Sequence, residues 1–504
     1  MLLEQALKSV FALDSDAGAV EYDGQWWTWG ELRRLADAIS RIADEARFGD
    51  DAPVAILLRN RPSVYAALVS VIESRRCLVT INPMQSPQRI GEDLRSLSAP
   101  IIIALESDWA LLNLEPVASA LGALGIAVPD AQDGSVAVRL EPAQAQASNW
   151  MPPQKGIAIQ MLTSGTTGKP KRINLKRSQL ETGLLDAAVY EKGRNAPGTR
   201  LSAAVEIIQT PFVHIGGIFS VLNAALSGRR ICLLDRFTVA SWRDAIIRHR
   251  PKVAFAPPTA LKMILDADLP PEDFASLVAL RSATAPLPPA IVDSFLERYN
   301  LPVLENYGAT EFSGGVAGWT LDMFRNHWPA KRGSVGCLHA GVAARIVDET
   351  SFEELPPNHR GLLELRSPQI DSSGGWTRTT DIAKLDEDGF LYICGRSDNA
   401  IIRGGFKIQP DDIADALERH ETVREAAVIA IPDERLGQVP AAAVVLKSDA
   451  NEVTVDELKS WVREQLTAYS VPSVLLVLED MPRTPSMKVS AIALRELVIE
   501  AAIR

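Results

Sequence analysis

The chain has little cysteine, little histidine and no surplus of positive charge. Its four cysteines, Cys77, Cys232, Cys337 and Cys394, are scattered over 504 residues with no Cys-x-x-Cys. This argues against a disulfide framework and against a zinc site, and predicts buried small hydrophobes in a reducing compartment. The six histidines are dispersed and show no metal-ligand spacing. Lys and Arg number 52 against 63 Asp and Glu, a formal net charge of −11. That balance argues against nonspecific nucleic-acid binding, which needs a basic surface, but a local basic site can still take an anion. Long apolar runs are also missing. No stretch approaches the roughly 20 apolar residues of a membrane-spanning helix, and the run Val64 to Ile72 is closed by Glu73, Arg75 and Arg76. The start, Met-Leu-Leu-Glu, has an acid at position 4 and does not read as a signal peptide. A cytoplasmic protein with no membrane span and no nucleic-acid partner is the expectation. No repeat and no low-complexity tract is found.

What is present is a globular composition, 47% apolar and 23% charged, in a chain too long for one ordinary core. Thr28-Trp29-Gly30-Glu31 is a capping-box pattern, and Leu32, Leu35, Ala36, Ile39 and Ile42 follow at helical spacing. Short apolar runs, Val54–Leu58, Ile101–Ala104, Ile231–Leu234 and Val253–Ala256, alternate with such helices. Strands alternating with helices predict an α/β fold with largely parallel layers. The tail reads differently. Pro410 to Leu417 predicts a helix, Val428–Ile431 and Ala442–Leu446 predict strands, and Thr454 with Glu457 caps a helix with Leu458, Trp461 and Val462 on its apolar face. This is a compact α+β unit with a core of its own. The expected division is a large multi-layer domain at 1–397 and a small mobile domain at 398–504.

Residues 163–171 read Thr-Ser-Gly-Thr-Thr-Gly-Lys-Pro-Lys. Glycine lets the backbone approach a ligand closely, hydroxyls and N–H groups face anionic oxygens, and lysine adds a point charge. A Walker A loop has a longer spacer between its first glycine and its Gly-Lys-Ser/Thr end, so this is not one. By itself such a run is a solvated turn, and the segments downstream decide. They are Asn306-Tyr307-Gly308-Ala309-Thr310-Glu311, Trp376-Thr377-Arg378-Thr379-Thr380-Asp381, Gly395-Arg396-Ser397-Asp398, Gly404-Gly405-Phe406-Lys407-Ile408 and Pro485-Ser486-Met487-Lys488. In this order they resemble the adenylate-forming superfamily, and within it the acyl- and aryl-CoA ligases, from about residue 25 to about residue 490.

The resemblance implies an ATP-, Mg²⁺- and CoA-dependent ligase that joins a carboxylate to AMP and then passes the acyl group to a thiol. Thr163, Ser164, Gly165, Thr166, Thr167, Gly168 and Lys171 would wrap the phosphates. Ala285, Asn306, Tyr307 and Gly308 would flank the adenine, Asp381 and Arg396 would hold the ribose, and Thr310 would contact the α-phosphate. Glu311 would hold Mg²⁺, a hard cation that takes oxygen ligands. Lys488 would bridge the carboxylate and the α-phosphate. Asp398 would be the hinge of a small domain that alternately presents Lys488 or Gly404 and Gly405, with Lys407 on CoA phosphates. Phe212, Val213, His214, Gly216, Gly314 and Gly315 would line the acyl pocket, with His214 near the reacting carboxylate.

The sequence departs from the family pattern at Arg172, Thr380 and Met487, each in place of a glycine. Residues 211–217 contain no aspartate to pair with an α-amino group, which disfavours amino acids, since an unpaired buried ammonium is costly. Small and apolar residues in 282–286 and 312–316 suit an apolar or aromatic acid. Two other outcomes stay open. A carrier protein acting in trans would replace CoA, or a protein defective in the first step would only bind ligand or form the thioester.

Overall fold

The computed structural model describes residues 3–97, 99–142, 155–163, 171–189, 200–371, 373–397, 399–403, 406–433, 435–447, 453–484 and 487–503. Among these, a seven-stranded sheet runs in the order Ala137–Leu140, Leu124–Val128, Ile101–Leu105, Pro53–Leu57, Cys77–Ile81, Ile157–Thr163, Lys171–Lys176. Its central strands are parallel and buried along their whole length, as expected when helices cover both faces. The apolar run at 64–72 belongs to the helix Pro62–Glu73, every residue of which is buried against that sheet and its neighbours. It is a core helix. Among the described residues no helix is long and apolar enough to cross a membrane.

Both capping boxes form. Thr28 accepts from the Glu31 N–H and the Glu31 carboxylate accepts from the Thr28 N–H, starting the helix Trp29–Glu45. Thr454 and Glu457 do the same for Val455–Gln465. Each box satisfies N–H groups that the first turn leaves without helical partners.

A second sheet, Val253–Phe255, Ala279–Ser282, Val303–Ala309, Gly314–Gly318 and Cys337–Leu338, is parallel up to Val303–Ala309 and antiparallel beyond it. A third, Ala343–Val347, Gly361–Arg366, Thr377–Leu385 and Leu391–Arg396, is antiparallel throughout. Parallel layers therefore hold for the central strands of the first sheet, whose two edge pairs are antiparallel, and fail between residues 343 and 396. That region carries hairpin turns such as Gly389, at φ +83°, where the chain reverses too tightly for a helical crossover.

The C-terminal unit has its own core of Ile401, Ile408, Ile413, Leu417, Val444, Leu458 and Val462. Its two expected strands are longer than their apolar centres. Val423–Asp433 and Gly437–Leu446 form one hairpin whose register runs from Val423 opposite Leu446 to Asp433 opposite Gly437. Cross-strand pairing carries the polar ends that hydrophobicity alone leaves out. The helix expected at 410–417 is Pro410–Glu418, with proline in its first turn. The proposed hinge Asp398 lies outside the described residues.

Candidate active site

The antiparallel pairing of Thr377–Leu385 with Leu391–Arg396 sets Asp381 opposite Arg396. Arg396 Nη1 is 3.7 Å from Asp381 Oδ1, and its Nη2 donates to Thr380 Oγ1 at 2.5 Å. The Thr380 carbonyl accepts from the Ser397 N–H at 2.7 Å. Thr380, standing where the family pattern has glycine, thus braces the arginine strand with both its hydroxyl and its carbonyl. Asp381 is only 8% exposed. The Tyr307 phenol donates to its Oδ2. Burial and this carboxylate push the Tyr307 phenol far up, so it stays a protonated donor.

Tyr307 lies near the end of Val303–Ala309, which turns into the short 3₁₀ segment Thr310–Phe312. Gly308 and Gly315 face each other across the next pairing. A Cβ at 308 would overlap the Gly314 carbonyl oxygen, and a Cβ at 315 would overlap the Asn306 amide. The Asn306–Gly308 segment and Gly314–Gly315 are therefore one surface, open only to glycine at 308 and 315. Thr310 is half-buried and Glu311 is exposed. An exposed carboxylate beside a hydroxyl is a hard oxygen donor set that fits Mg²⁺.

His214 precedes the helix Ile215–Leu226 as its N-cap residue. Gly217 packs so tightly against the Pro211 carbonyl that no side chain fits there. Phe212 is fully buried in the main core, and its N–H donates to Asn60 Oδ1 at 3.0 Å. Val213 packs partly buried on the same core, and Gly216 has only the Thr210 methyl near its missing side chain. The face left to the cleft is His214 and Gly216.

Lys488 reaches this cleft from the C-terminal unit. Its side chain keeps solvent access, yet the protein around it lowers its ammonium pKa, with Arg396 as the second cause. Burial, then Lys488, lowers the His214 imidazole to about 4, so it is neutral near pH 7. Lys488 thus lies within electrostatic reach of both His214 and Arg396, residues far apart in sequence.

Other expected residues stand elsewhere or lie outside the described residues. Thr163 and Lys171 are paired across the last two strands of the first sheet. Ser164, Gly165, Thr166, Thr167, Gly168, Gly404 and Gly405 lie outside the described residues, and Lys407 is placed only as a strand residue of Phe406–Ile408. Arg172 stands by Asp93 and Cys77, where burial lowers its pKa. Ala285 is half-buried in a turn whose Thr284 has φ +82°.

That turn is braced by a residue the sequence did not single out. Glu305 Oε1 accepts from the Leu287 N–H at 3.3 Å. Burial pushes the Glu305 carboxyl up to about 8. Between the ordinary value of 4.5 and about 8 the folded state holds a proton that the unfolded state has lost. Stability from this group therefore falls as pH rises across that window. Melting temperatures measured at about pH 5 and about pH 8 should drop for the wild type, and Glu305→Gln should flatten that drop. An equal drop in both proteins would count against the assignment.

The fold also gathers Glu21, Cys232 and His249 within reach of a common point. This cluster was invisible in the sequence because its members lie on three separate elements. It carries its own cation, since Arg248 bonds Glu21 and stands 3.3 Å from His249 Nε2. Burial raises the Cys232 thiol to about 12.

Comparison with known proteins bears on the family. The AMP-binding enzyme family model matches residues 8–372, and the AMP-binding enzyme C-terminal domain model matches residues 412–488. The chain is 27% identical to 4-coumarate–CoA ligase 3 of Oryza sativa subsp. japonica, over 92% of this chain and 86% of that protein. It is 25% identical to a long-chain-fatty-acid–CoA ligase of Bacillus subtilis (strain 168), over 97% of this chain and 93% of that one. In fold it matches an ATP-bound RpMatB-BxBclM chimera with a TM-score of 0.83 at 21% identity, over 99% of this chain and 100% of that chain. It also matches o-succinylbenzoate CoA synthetase from Bacillus subtilis with a TM-score of 0.75 at 23% identity, over 97% of each chain. With both domains matched in order, the chain belongs to the AMP-binding enzymes, the adenylate-forming superfamily.

Proposed function

We propose that the chain is an ATP-dependent carboxylic acid–CoA ligase acting on an apolar or aromatic acid. The observation that carries this reading is that Lys488 stands within electrostatic reach of His214 and of Arg396, while Arg396 lies 3.7 Å from the Asp381 carboxylate that the Tyr307 phenol binds. In the first step a carboxylate oxygen of the acid bonds to the α-phosphorus of ATP and the bond to pyrophosphate breaks. In the second a thiol sulfur bonds to the acyl carbon, AMP leaves, and the thiol proton is released.

Both steps bring negative groups together or part them, so positioning and charge stabilisation can supply the catalysis without a protein nucleophile. Asp381, acceptor-only and pinned by Tyr307, is placed to take ribose hydroxyls. Arg396 flanks the same sugar. Lys488 is placed to neutralise the carboxylate and α-phosphate as they meet. Neutral His214 borders the acyl group with a free choice of donor or acceptor nitrogen. Thr310 would contact the α-phosphate, and Mg²⁺ held by Glu311 would offset phosphate charge. Thr163 and Lys171 anchor the two ends of the phosphate loop. A hinge at Asp398 and acceptance of the pantetheine arm by Gly404, Gly405 and Lys407 belong to the same reading.

Pyrophosphate release should be measured across short, medium, long-chain and aromatic acids, each with and without CoA. Release that depends on one acid class, with acyl-CoA and AMP appearing on adding CoA, is the expected result. Adenylate without thioester would move the acceptor to a carrier protein, and silence with every acid would sink the adenylation step.

A further inference from the structure

The lysine loop is held in the cleft by a contact between the two domains. Met487 adopts φ +65°, a left-handed conformation that disfavours a side chain and that glycine takes freely. Something must therefore hold this turn in place. Within the loop, the Met487 N–H donates to the Thr484 carbonyl at 2.9 Å and the Thr484 N–H to the Lys488 carbonyl at 2.8 Å. The Met487 carbonyl points across to the large domain. There Thr259 Oγ1, on the first turn of the helix Pro258–Asp266, donates to it at 3.1 Å. Arg483 Nη1 lies 3.4 Å from both the Thr259 hydroxyl and that carbonyl, and Arg483 Nη2 donates to Glu425 Oε2 at 2.6 Å. The Arg483 and Glu425 side chains are only 16% and 12% exposed, so the guanidinium is fixed by a sheltered ion pair.

One turn further along the same helix, Lys262 donates to the Arg424 carbonyl, and Asp266 stands 3.9 Å from Arg424 Nη1. The helix Pro258–Asp266 thus offers three successive polar contacts to the C-terminal unit. The one nearest the chemistry grips the peptide unit that carries Lys488.

We propose that Thr259 is a positioning residue for the adenylation step. With Arg483 and Glu425 it docks the Met487 carbonyl and so sets Lys488 in the cleft. The inference rests on the ligase reading above and names a residue on the large domain that its motifs do not include. Thr259 contacts the Met487 carbonyl and Arg483, so in this proposal it acts through the pose of the lysine loop. A second reactive pose, with the small domain rotated away, would break this contact and owe nothing to it.

The test is Thr259→Val, which keeps shape and removes the donor, beside Thr259→Ser, which keeps the donor. Expected for Thr259→Val is a loss of about 5- to 10-fold in single-turnover adenylate formation, the size of one lost hydrogen bond. Acyl transfer from a supplied acyl-adenylate to CoA should stay at the wild-type rate, and Thr259→Ser should restore adenylation. Equal loss in both half-reactions, or no loss in adenylation, would overturn the proposal. A readout without turnover separates this from the ligase reading. Spin labels, one on each domain, should show a docked separation that Thr259→Val depopulates. If no acid is adenylated by the wild type, the ligase reading fails while the latch is still decided by that distance distribution. An unchanged distribution would overturn the latch.

Discussion

Lys488→Ala is expected to lower adenylate formation by about 100- to 1000-fold, the range for removing one electrostatic group aimed at developing charge. The reason is local. Lys488 comes from the small domain, and its ammonium is already disfavoured by the surrounding protein and by Arg396. An anion pair in the cleft relieves that penalty, so the lysine interacts more strongly as carboxylate and phosphate meet than before they do. Thiol transfer from a supplied acyl-adenylate should be largely intact, because that step begins after the two anions have been joined. The check is single-turnover pyrophosphate release beside AMP release from preformed adenylate. Equal loss in both would contradict a small domain that serves the two steps in different poses.

The second large effect is expected at Asp381. Asp381→Ala removes the acceptor of the Tyr307 phenol and the counter-charge of Arg396. A buried phenol and a guanidinium lose partners at once, and nucleotide loses its ribose acceptor. Leaving buried polar groups unmatched costs about 1–3 kcal/mol each, so the KM for ATP should rise about 100-fold with a smaller change in kcat. Tyr307→Phe, which deletes only the phenol hydroxyl, should raise that KM by about 10-fold or less. A kcat loss with unchanged KM for Asp381→Ala would move its role away from nucleotide binding.

Much of the architecture was legible in the sequence. The capping boxes at Thr28 and Thr454 form with both reciprocal bonds, because four consecutive residues contain everything they need. The parallel strands at 54–57 and 101–104 stand out because burial on both faces demands unbroken apolar runs. The antiparallel region between 343 and 396 was not visible. Thr377–Leu385 and Leu391–Arg396 are partly exposed and mix Thr, Arg, Lys and Asp with apolar residues, so hydrophobic periodicity fades.

For the site, the motifs pointed to Asp381, Arg396, Tyr307, Gly308, His214 and Lys488 by resemblance, and the fold joins Asp381 to Tyr307 and Arg396 and brings Lys488 within electrostatic reach of Arg396 and His214. Phe212 packs into the core of the first domain, which composition beside His214 did not reveal. Glu305 and Thr259 carried no sequence signal. Each works through a backbone group distant in the chain, Leu287 in one case and Met487 in the other. The glycine replacements read differently once placed. Thr380 uses its hydroxyl and carbonyl as braces, Met487 is held in a left-handed turn by a neighbouring domain, and Arg172 faces Asp93.

By itself, then, the sequence determined the family, the alternation of helices and strands, the separate C-terminal core and the order of the ligand-facing motifs. These follow from local patterns, where periodicity, caps and glycine turns act over a few residues. Only the tertiary structure decided which side chains meet, how far burial moves His214 and Glu305, and what holds Lys488 in the cleft. Those depend on desolvation and on contacts between residues hundreds of positions apart, and no local pattern encodes the dielectric surroundings of a side chain.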